Sequence, residues 1–425
     1  MSRIIIKGQR RISGSFTPSG NKNAALPMLA ASLLTDEPVT LHNLPLIADV
    51  RVMLELLAGL GVDVLLKDRS VTLRAERVRK TRLDPALCRK VRASILVAGP
   101  LVARAGRASI HPPGGDVIGR RRVDTHMTGL RSLGVKVEGG DFFSFRAKRL
   151  RGASILLDEA SVTGTENLLM AATLADGASV IYNAACEPHV QDLGALLTKM
   201  GARIDGLGTN RIRITGVDRL HGAEHFIGPD YIEAGSYLAA AAVTGGDLSV
   251  SGIGGDDVRV VVGRTFARLG LTWKGEGGEV VQPAHRYFRI RRDLGGAIPK
   301  IEDGIWPMFP SDLMSVALVM ATQARGCILF FEKLFESRMY FVDRLIEMGA
   351  RVVQCDPHRV VIEGPARLHG IHMSSPDIRA GMAMVIAALA AKGTSIIDNA
   401  EMIDRGYERV DERLRALGAD VERSD

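Results

Sequence analysis

Cysteine and long apolar runs are scarce in this sequence, and each scarcity excludes a class of protein. The four cysteines are scattered, with no C-x-x-C pair and no histidines at ligand spacing; they are Cys88, Cys186, Cys327 and Cys355. This pattern argues against a disulfide framework and against a zinc site. No apolar segment approaches the length that spans a bilayer, and the opening MSRIIIKGQRR lacks the features of a signal peptide. We therefore expect a cytoplasmic protein without a bound metal or a membrane contact.

Composition and charge indicate a globular protein, and the charge is compatible with more than one kind of anionic partner. The chain has 425 residues, of which 46% are hydrophobic and 24% charged, so we expect two domains rather than disorder. The formal net charge of +7 would suit a nucleic-acid binder, but the 55 basic residues are interspersed with 48 acidic ones rather than gathered into a tail. An anionic small molecule fits this charge as well, and we expect no nucleic-acid partner.

One pattern recurs six times along the chain: a helix-like run that ends in Leu or Met, then Gly, then a short strand-like run. The glycines of this pattern are Gly61, Gly134, Gly201, Gly270, Gly349 and Gly418. Successive copies are therefore about 70 residues apart, which indicates an internal repeat. Glycine fits this position because the residue that follows a helix often turns left-handed before a strand begins.

Each copy also carries a second, more apolar helix that leads into a small turn and a strand, as in residues 29–44 and 388–400. A helix rich in Ala, Leu and Met on all sides belongs in the interior, whereas the amphipathic Leu-Gly helix belongs outside. Six such units predict an α/β protein of two similar lobes, three units to a lobe, with a cleft between them. A linear solenoid is the alternative, but solenoid repeats usually have only ~20–45 residues.

The stretch HPPGGDVIGRRRVDTH, residues 111–126, predicts a mobile loop that carries both signs of charge. Pro112, Pro113 and the two glycines after them exclude a helix or a central strand. The loop then presents Asp116 and three successive arginines, residues 120–122. Such a loop can fold over an anionic substrate as a lid and place Asp116 against it, although a solvated basic turn is the alternative.

Seven motifs, in order along the chain, resemble those of the enolpyruvyl transferase family. They are SGNKNAALP (19–27), VRASILVAGPLVAR (91–104), PPGGDVIGRRRVD (112–124), FPSDLM (309–314), FESRM (335–339), SPDIRAG (375–381) and IDRGYER (403–409). The resemblance implies two inside-out α/β barrels, one of residues 21–229 with the lid loop and one of residues 1–20 plus 230–425. It also implies an active site in the cleft between the two domains.

The resemblance further implies the reaction. The enolpyruvyl group of phosphoenolpyruvate would move to the 3-hydroxyl of UDP-N-acetylglucosamine with release of phosphate, the first committed step of peptidoglycan precursor synthesis. The branch of the family that acts on shikimate 3-phosphate carries S-K-S and N-A-G-T signatures. This chain has Asn21-Lys22-Asn23 and Arg92-Ala93-Ser94 instead, which disfavours that branch.

The implied reaction breaks a C–O bond rather than a P–O bond, so we expect no metal and no cofactor, but it needs cations around phosphoenolpyruvate and the leaving phosphate. The family positions that bind phosphoenolpyruvate correspond to Lys22, Arg121, Arg379 and Arg405, of which Lys22 and Arg405 would also be catalytic. Surface salt bridging is the alternative for each. Only Arg405 has an obvious sequence partner, Asp404, at an expected helix entrance.

Two carboxylates match the acid–base positions of the family. Asp312 would take the proton of the sugar hydroxyl, although an Asp after Pro-Ser and before an apolar run is also a candidate N-cap. Asp116 would donate a proton to carbon 3 of phosphoenolpyruvate and take it back later. Most members of the family carry cysteine at that lid position, but either side chain can transfer a proton.

For the nucleotide sugar, the resemblance implies a larger set of binding residues. They are Asn23, Arg92, Val123, Asp124, Ser161, Val162, Thr163, Asp312 and Arg338. The chain departs from the usual family residues at Arg122 (proline), Glu159 (lysine), Thr163 (glycine) and Trp306 (histidine). These departures leave open a paralogue with a different nucleotide or sugar acceptor. A catalytically silent sugar-nucleotide sensor is a further alternative, but the presence of Asp312, Asp116 and all four cations argues against it. An RNA 3′-phosphate cyclase is disfavoured, because no histidine is placed like a covalent nucleophile.

Overall fold

A computed structural model describes residues 2–116, 118–119, 122–275 and 278–424. The chain forms two compact units. The N-terminal unit consists of Gly20–Asp116 and Arg122–Gly228, and the C-terminal unit contains the other described residues. Each unit therefore has its own core and is described by itself.

Helices occur in every repeat of the described chain. They are α1 (Lys22–Ala31), α2 (Ala48–Leu60), α3 (Pro85–Lys90), α4 (Ala98–Ala105), α5 (Asp124–Ser132), α6 (Val162–Ala172), α7 (Pro188–Lys199), α8 (Tyr231–Thr244), α9 (Asp256–Arg268), α10 (Met314–Gln323), α11 (Val342–Glu347), α12 (Ile378–Ala390) and α13 (Val410–Ala416). Short 3₁₀ helices cover Ser32–Leu34, Arg92–Val97, Leu294–Gly296, Ser311–Leu313 and Ala400–Arg405. Among the described residues, no helix is both long and apolar enough to cross a membrane.

The strands of the described chain are short. They are β1 (Arg3–Lys7), β2 (Gly14–Phe16), β3 (Val39–His42), β4 (Asp63–Lys67), β5 (Ser70–Arg74), β6 (Arg107–Ile110), β7 (Lys136–Glu138), β8 (Phe143–Arg146), β9 (Ser154–Leu156), β10 (Ala178–Tyr182), β11 (Arg203–Asp205), β12 (Arg211–Thr215), β13 (Ala223–Phe226), β14 (Leu248–Ser251), β15 (Glu279–Gln282), β16 (Lys300–Glu302), β17 (Gly326–Phe331), β18 (Arg351–Asp356), β19 (Arg359–Gly364), β20 (His372–Ser374), β21 (Thr394–Asp398) and β22 (Asp420–Ser424).

Across the described residues these strands form six small sheets, three in each unit. The N-terminal unit has the orders β13-β3-β5-β4, β6-β8-β7 and β11-β12-β10-β9, and the C-terminal unit has β15-β14-β2, β16-β17-β19-β18 and β20-β21-β1-β22. One sheet for each copy of the sequence repeat confirms the predicted α/β class. The inside-out barrel form and the position of the active site in a cleft stay predictions.

The glycine of each Leu-Gly or Met-Gly pair ends the outer helix of its repeat. All six have a left-handed backbone, with φ between 89° and 101°, as expected for a residue that turns the chain out of a helix. Gly61 shows the arrangement well: it caps α2, and its N–H donates to the carbonyl of Ala58 at 3.0 Å. The sequence prediction for these positions is confirmed.

The more apolar helix of each repeat lies inside, as predicted. In α1 every residue except Asn23 is buried, and in the C-terminal unit α8, α10 and α12 pack against one another. The outer helix α2, by contrast, buries only one face. Each large apolar side chain that is fully buried contributes roughly 1.5–3 kcal/mol, so the interior helices organise each unit.

The fourth repeat departs from the predicted pattern after Gly270. In the described part of this segment the expected strand is reduced to a single bridge between Lys274 and Val281. The indole of Trp273 packs edge-on against the ring of Phe266 on α9, with the ring centroids 5.0 Å apart. This packing holds the segment against the helix, so it does not continue along the neighbouring strand.

Two glycines of the C-terminal unit separate the cost of backbone strain from the cost of a clash. Gly393→Ala, at φ 93° with open space around its Cβ, should lower the free energy of unfolding by about 1–2 kcal/mol. Gly270→Ala, at φ 100°, should cost clearly more, because its Cβ would lie 2.2 Å from the backbone oxygen of Arg289. Urea unfolding of both variants measures the difference, and equal losses would contradict the assigned clash.

Candidate active site

Asp312 lies in the 3₁₀ turn Ser311–Leu313 that leads into α10. Its carboxylate accepts one hydrogen bond from Arg338 Nη2 at 3.1 Å, and two from Arg379, from Nε at 3.1 Å and from Nη2 at 2.8 Å. The predicted N-cap role is wrong: the caps are Pro310 and Leu313, and neither makes a side-chain cap bond. The carboxylate instead forms ion pairs with two buried guanidinium groups. A buried charge without a counter-charge costs more free energy than a helix start without a cap.

We call Asp312, Arg338 and Arg379 the Asp312 cluster. The side chains of both arginines are nearly inaccessible, whereas that of Asp312 is 28% exposed, so the cluster presents its acid to solvent and keeps its cations inside. Burial acts to lower the pKa of Arg379, but Asp312, Tyr407 and Asp230 outweigh it, and the pKa lies well above its ordinary value. Arg379 is therefore permanently charged, and the cluster is a fixed arrangement of one anion and two cations.

Each arginine of the cluster also has a donor left over. Nη1 of Arg379 and Nη1 of Arg338 are buried and have no hydrogen-bond partner among the described residues. A guanidinium group carries five N–H donors, and an unmet buried donor costs free energy unless a ligand satisfies it. The cluster can therefore bind an anion in addition to Asp312.

Arg405 lies beside this cluster, but it is not at the helix entrance that the sequence predicted. It ends the 3₁₀ helix Ala400–Arg405 instead of opening a helix, and this 3₁₀ helix packs on α12, which begins with Ile378 and Arg379. Asp404, the expected partner, forms an ion pair with Arg423. A Cβ built on the next residue, Gly406, would lie 3.7 Å from Arg379 Nη1, so the backbone at Arg405 runs close to the Arg379 guanidinium.

Lys22 is the predicted cation of the N-terminal unit. It is the first residue of α1, after the N-cap Asn21, whose side chain accepts from the N–H groups of Asn23 and Ala24. Its ammonium lies 2.7 Å from the carboxylate of Asp49, and both side chains are at least nine-tenths buried. Sequence reasoning missed Asp49, although an acid in the first turn of an amphipathic helix was a signal that could have been followed.

Three of the residues predicted to bind the nucleotide sugar, Arg92, Val123 and Asp124, lie around the start of α5. Arg92 Nη2 donates to the backbone oxygen of Arg122 at 2.9 Å, and Arg122 Nε donates to Asp124 at 2.5 Å. Val123 is the residue that precedes α5. The departure from the usual proline therefore adds the side-chain bond to Asp124, whereas the bond from Arg92 uses a backbone oxygen that proline would also supply.

A hydrogen-bonded chain of three side chains reaches Thr163 at the start of α6. Asn167 Nδ2 donates to His126 Nδ1 at 3.0 Å, so the ring proton lies on Nε2, which donates to the Thr163 hydroxyl at 3.1 Å. Burial first, and then Arg92, lower the pKa of His126 to about 3. The ring is therefore neutral, and Thr163 has its own hydroxyl proton to give to another group.

The start of α6 is also capped. Ser161 accepts from the N–H of Gly164 at 3.2 Å, and the N–H groups of Val162 and Thr163 belong to the first turn, which has no intrahelical partners. Such a helix start attracts phosphate groups. Glu159 stands where the family usually has lysine. It accepts a hydrogen bond from the Thr125 hydroxyl at 3.4 Å, and Asp158 accepts from the same hydroxyl at 2.7 Å.

Asp116 lies in residues 111–116, which form neither helix nor strand. Gly114 anchors this segment: its N–H donates to the oxygen of Cys88, and a Cβ there would lie 1.8 Å from the oxygen of Arg89. In the C-terminal unit the Ile118 oxygen accepts from the N–H of Ser337 at 3.2 Å. The predicted site residue Arg121, with its neighbour Arg120, lies outside the described residues.

Trp306, which departs from the usual histidine, is a packing residue. It is 7% exposed, and its ring lies 6.1 Å from that of Tyr231, at the start of α8. The larger ring therefore fills core space in the C-terminal unit. Within each unit the structure thus brings predicted residues together, the Asp312 cluster beside Arg405 in one and the Arg92, Arg122 and Asp124 contacts in the other.

Two comparisons identify the class of protein. A protein-family model described as EPSP synthase (3-phosphoshikimate 1-carboxyvinyltransferase) matches residues 6–414. The solved structure of the enolpyruvyl transferase NikO from Streptomyces tendae superposes with a TM-score of 0.87 over 100% of this chain and 99% of that one, at 22% identity, and so supports the fold. The chain belongs to the enolpyruvyl transferase family.

Curated relatives define the branch within the family. The UDP-N-acetylglucosamine 1-carboxyvinyltransferase of Bradyrhizobium diazoefficiens is 53% identical over 422 residues, which are 99% of this chain and 98% of the relative. That of Treponema denticola is 52% identical over 99% of both chains. The resemblance found in the sequence motifs is confirmed, and the chain groups with the UDP-N-acetylglucosamine 1-carboxyvinyltransferases.

The burial of His126 predicts a specific acid sensitivity. In the unfolded chain the His126 ring is protonated below about pH 6.5, whereas in the folded protein its pKa is about 3. The folded protein therefore loses stability as the pH falls from about 6.5 to about 3. Between pH 6 and 4 the unfolding free energy of wild type should fall more steeply than that of His126→Gln, by up to about 1.4 kcal/mol per pH unit. Denaturant unfolding across this range measures both slopes. The exposed His221→Gln variant is the control, and parallel slopes for wild type and His126→Gln would contradict the assignment.

Proposed function

We propose that the protein transfers the enolpyruvyl group of phosphoenolpyruvate to the 3-hydroxyl of UDP-N-acetylglucosamine and releases phosphate. The observation that supports this most directly is the Asp312 cluster, a partly exposed carboxylate held by two buried arginines that each keep a spare donor. Addition of an alcohol to an anionic enol phosphate requires a carboxylate that accepts the proton of the alcohol and, next to it, cations that bind the anion. The names of the relatives support the two substrates.

In the first half of the reaction, Asp312 takes the proton of the sugar 3-hydroxyl while the oxygen attacks carbon 2 of phosphoenolpyruvate. Carbon 3 gains a proton at the same stage, and we assign its delivery to Asp116. The product of this addition is a tetrahedral intermediate with both the sugar oxygen and the phosphate on carbon 2. Arg379 is well suited to the substrate carboxylate or phosphate, because its position and charge are fixed by Asp312.

In the second half, carbon 3 returns its proton, the double bond re-forms, and the bond between carbon 2 and the phosphate oxygen breaks. The leaving phosphate takes the electron pair, and we assign its stabilisation to Lys22, Arg121 and Arg405. Lys22 is held by Asp49 at 2.7 Å. Its positive charge is therefore positioned in advance, which is how an electrostatic catalyst avoids reorganisation during the reaction.

We assign the nucleotide to the N-terminal unit. The N–H groups at the start of α6 and the Thr163 hydroxyl suit the diphosphate, and Arg92, Val123 and Asp124 suit the uridine. We assign Asn23, in the first turn of α1, and Arg338, which donates to Asp312, to the sugar. We place the reaction in the cytoplasm, where phosphoenolpyruvate and UDP-sugars are made, and we expect cell-wall synthesis, cell shape and cell division to depend on it.

Phosphate release is the direct test of this function. The purified protein is incubated with phosphoenolpyruvate and, in separate reactions, with UDP-N-acetylglucosamine and a panel of other UDP-sugars. We expect release only with UDP-N-acetylglucosamine, and a product heavier by one enolpyruvyl group in mass spectrometry. Release with another acceptor alone would mean a paralogue, and binding without release would mean a sensor.

Asp312→Asn tests the base. The substitution preserves the shape of the side chain but removes the proton acceptor, so phosphate release should fall by more than about 100-fold. Binding of phosphoenolpyruvate should not weaken, because the two arginines lose a competing anion. The exposed Asp343→Asn serves as a matched control. A loss of less than about tenfold, or about 1.4 kcal/mol, would count against Asp312 as the base.

Asp116→Cys tests the lid position through fosfomycin, an epoxide that inhibits the family by alkylating the lid cysteine. A thiolate opens an epoxide readily, whereas a carboxylate is a far weaker nucleophile, so wild type should resist the drug and the variant should be alkylated. Because Cys355 is exposed, both proteins should carry Cys355→Ser. Intact-mass spectrometry decides: an adduct on the background protein, or none on the Asp116→Cys variant, would contradict the assignment.

A further inference from the structure

A pair of buried carboxyl groups, separate from Asp312, lies directly behind the Asp312 cluster. β16 and β17 are parallel neighbours, with Glu302 opposite Phe331. The residue that directly follows each strand is acidic, Asp303 after β16 and Glu332 after β17, and both are completely buried. The parallel register therefore sets two acids side by side in the core of the C-terminal unit, and the reaction described above uses neither.

Glu332 joins the two motifs that supply the cluster. Its carboxyl oxygens accept from the Ser311 hydroxyl at 2.9 and 3.1 Å, and Oε1 also accepts from the N–H of Phe335 at 3.1 Å. Ser311 precedes Asp312, and Phe335 opens the turn that carries Arg338. One side chain thus positions both the carboxylate of Asp312 and the guanidinium that binds it.

The contacts of the pair favour a proton on Glu332. Asp303 Oδ1 accepts from the N–H of Lys333 at 2.5 Å, but the buried Oδ2 has no donor among the described residues. Burial first, and then the adjacent Asp303, raise the pKa of Glu332 to about 9, against the opposing effect of Arg338. A proton on Glu332 supplies the donor that Asp303 Oδ2 needs and avoids two buried negative charges in contact.

The distance to Arg338 fits a neutral Glu332. Arg338 Nε lies 3.9 Å from Glu332 Oε2, too far for a hydrogen bond, whereas its Nη2 bonds Asp312 at 3.1 Å. Lys333, the residue after Glu332, pairs its ammonium with Glu302 at 3.1 Å. His358 meets Glu332 only at its backbone oxygen.

We propose that Glu332 is a positioning residue that acts as a neutral acid: it shares its proton with Asp303 and so leaves the charge of Arg338 to Asp312. Loss of that proton places a second anion beside Arg338, draws the guanidinium from Asp312 and disturbs the base. This inference rests on the proposed function, because it assigns Glu332 to the base of that reaction. Turnover should therefore fall at alkaline pH as the shared proton is lost.

Glu332→Gln and Glu332→Ala separate this role from a purely structural one. Glutamine keeps the shape and can donate its amide N–H to Asp303, so at pH 7 its kcat should stay within about threefold of wild type. Alanine removes every contact and should lower kcat by at least about tenfold. Above pH 9 the rate of wild type should fall, whereas Glu332→Gln should keep its rate. The exposed Glu363→Gln, on the neighbouring β19, should follow wild type at every pH.

Unfolding as a function of pH gives a second readout. Because the folded pKa is raised, the stability due to Glu332 is fully present below about pH 4.5 and is lost as the pH rises through about 9. Wild type should therefore lose stability relative to Glu332→Gln over this range. Equal impairment of the Gln and Ala variants at pH 7, or identical pH profiles of wild type and Glu332→Gln, would overturn the inference alone. A wild type that releases no phosphate with any UDP-sugar would overturn the proposed function and this inference with it.

Discussion

Two buried arginines of the C-terminal unit require a counter-charge, and this requirement fixes the position of the Asp312 carboxylate. Arg338 and Arg379 are almost inaccessible, and a buried guanidinium without an anion would be strongly destabilising. Asp312 meets this need with three hydrogen bonds. The same bonds hold its partly exposed carboxylate in place, so a requirement of stability and a requirement of the proposed reaction are met by one set of contacts.

The repeat explains why functional side chains gather at helix starts. Each interior helix begins where a strand or loop has just entered the core, and the first turn there has N–H groups that no helical carbonyl can reach. Lys22 begins α1, Ser161 caps α6, and Arg379 follows the cap Asp377 on α12. Since the same helix recurs in every repeat, these positions present donors in similar settings.

Much of the fold could be predicted from local pattern. A glycine directly after an amphipathic helical run predicts a left-handed residue at the end of the helix, and all six such glycines have this conformation. A run that is apolar on all sides predicts a buried helix, as in α1. The contacts of the site could not be predicted in this manner. Asp49, His126 and Glu332 reach partners through the packing of distant segments, and no periodicity records such pairs.

Asp312 shows the limit of local reasoning in one residue. Its neighbours Pro310 and Ser311 predict a cap, and in a peptide that preference would decide its conformation. In the folded chain a cap bond contributes about 1 kcal/mol, whereas an uncompensated buried charge costs several. The cost of the buried charge is larger and decides the conformation of Asp312. This cost depends on Arg379, which lies 67 residues away in the sequence and so outside any local pattern.

The position of β1 has a consequence for the order in which the chain can fold. β1 lies between β21 and β22, with Arg3 opposite Ser424, so strands from the two ends of this sequence complete one sheet. During synthesis the N-terminal unit, which ends at Gly228, can close its core while β1 still waits for both of its neighbours. The C-terminal unit, in contrast, cannot close until β22 has left the ribosome. β1 thus emerges before its two neighbours and is among the last strands of its unit to be paired, and its apolar residues Ile4 and Ile6 are exposed to aggregation throughout that interval.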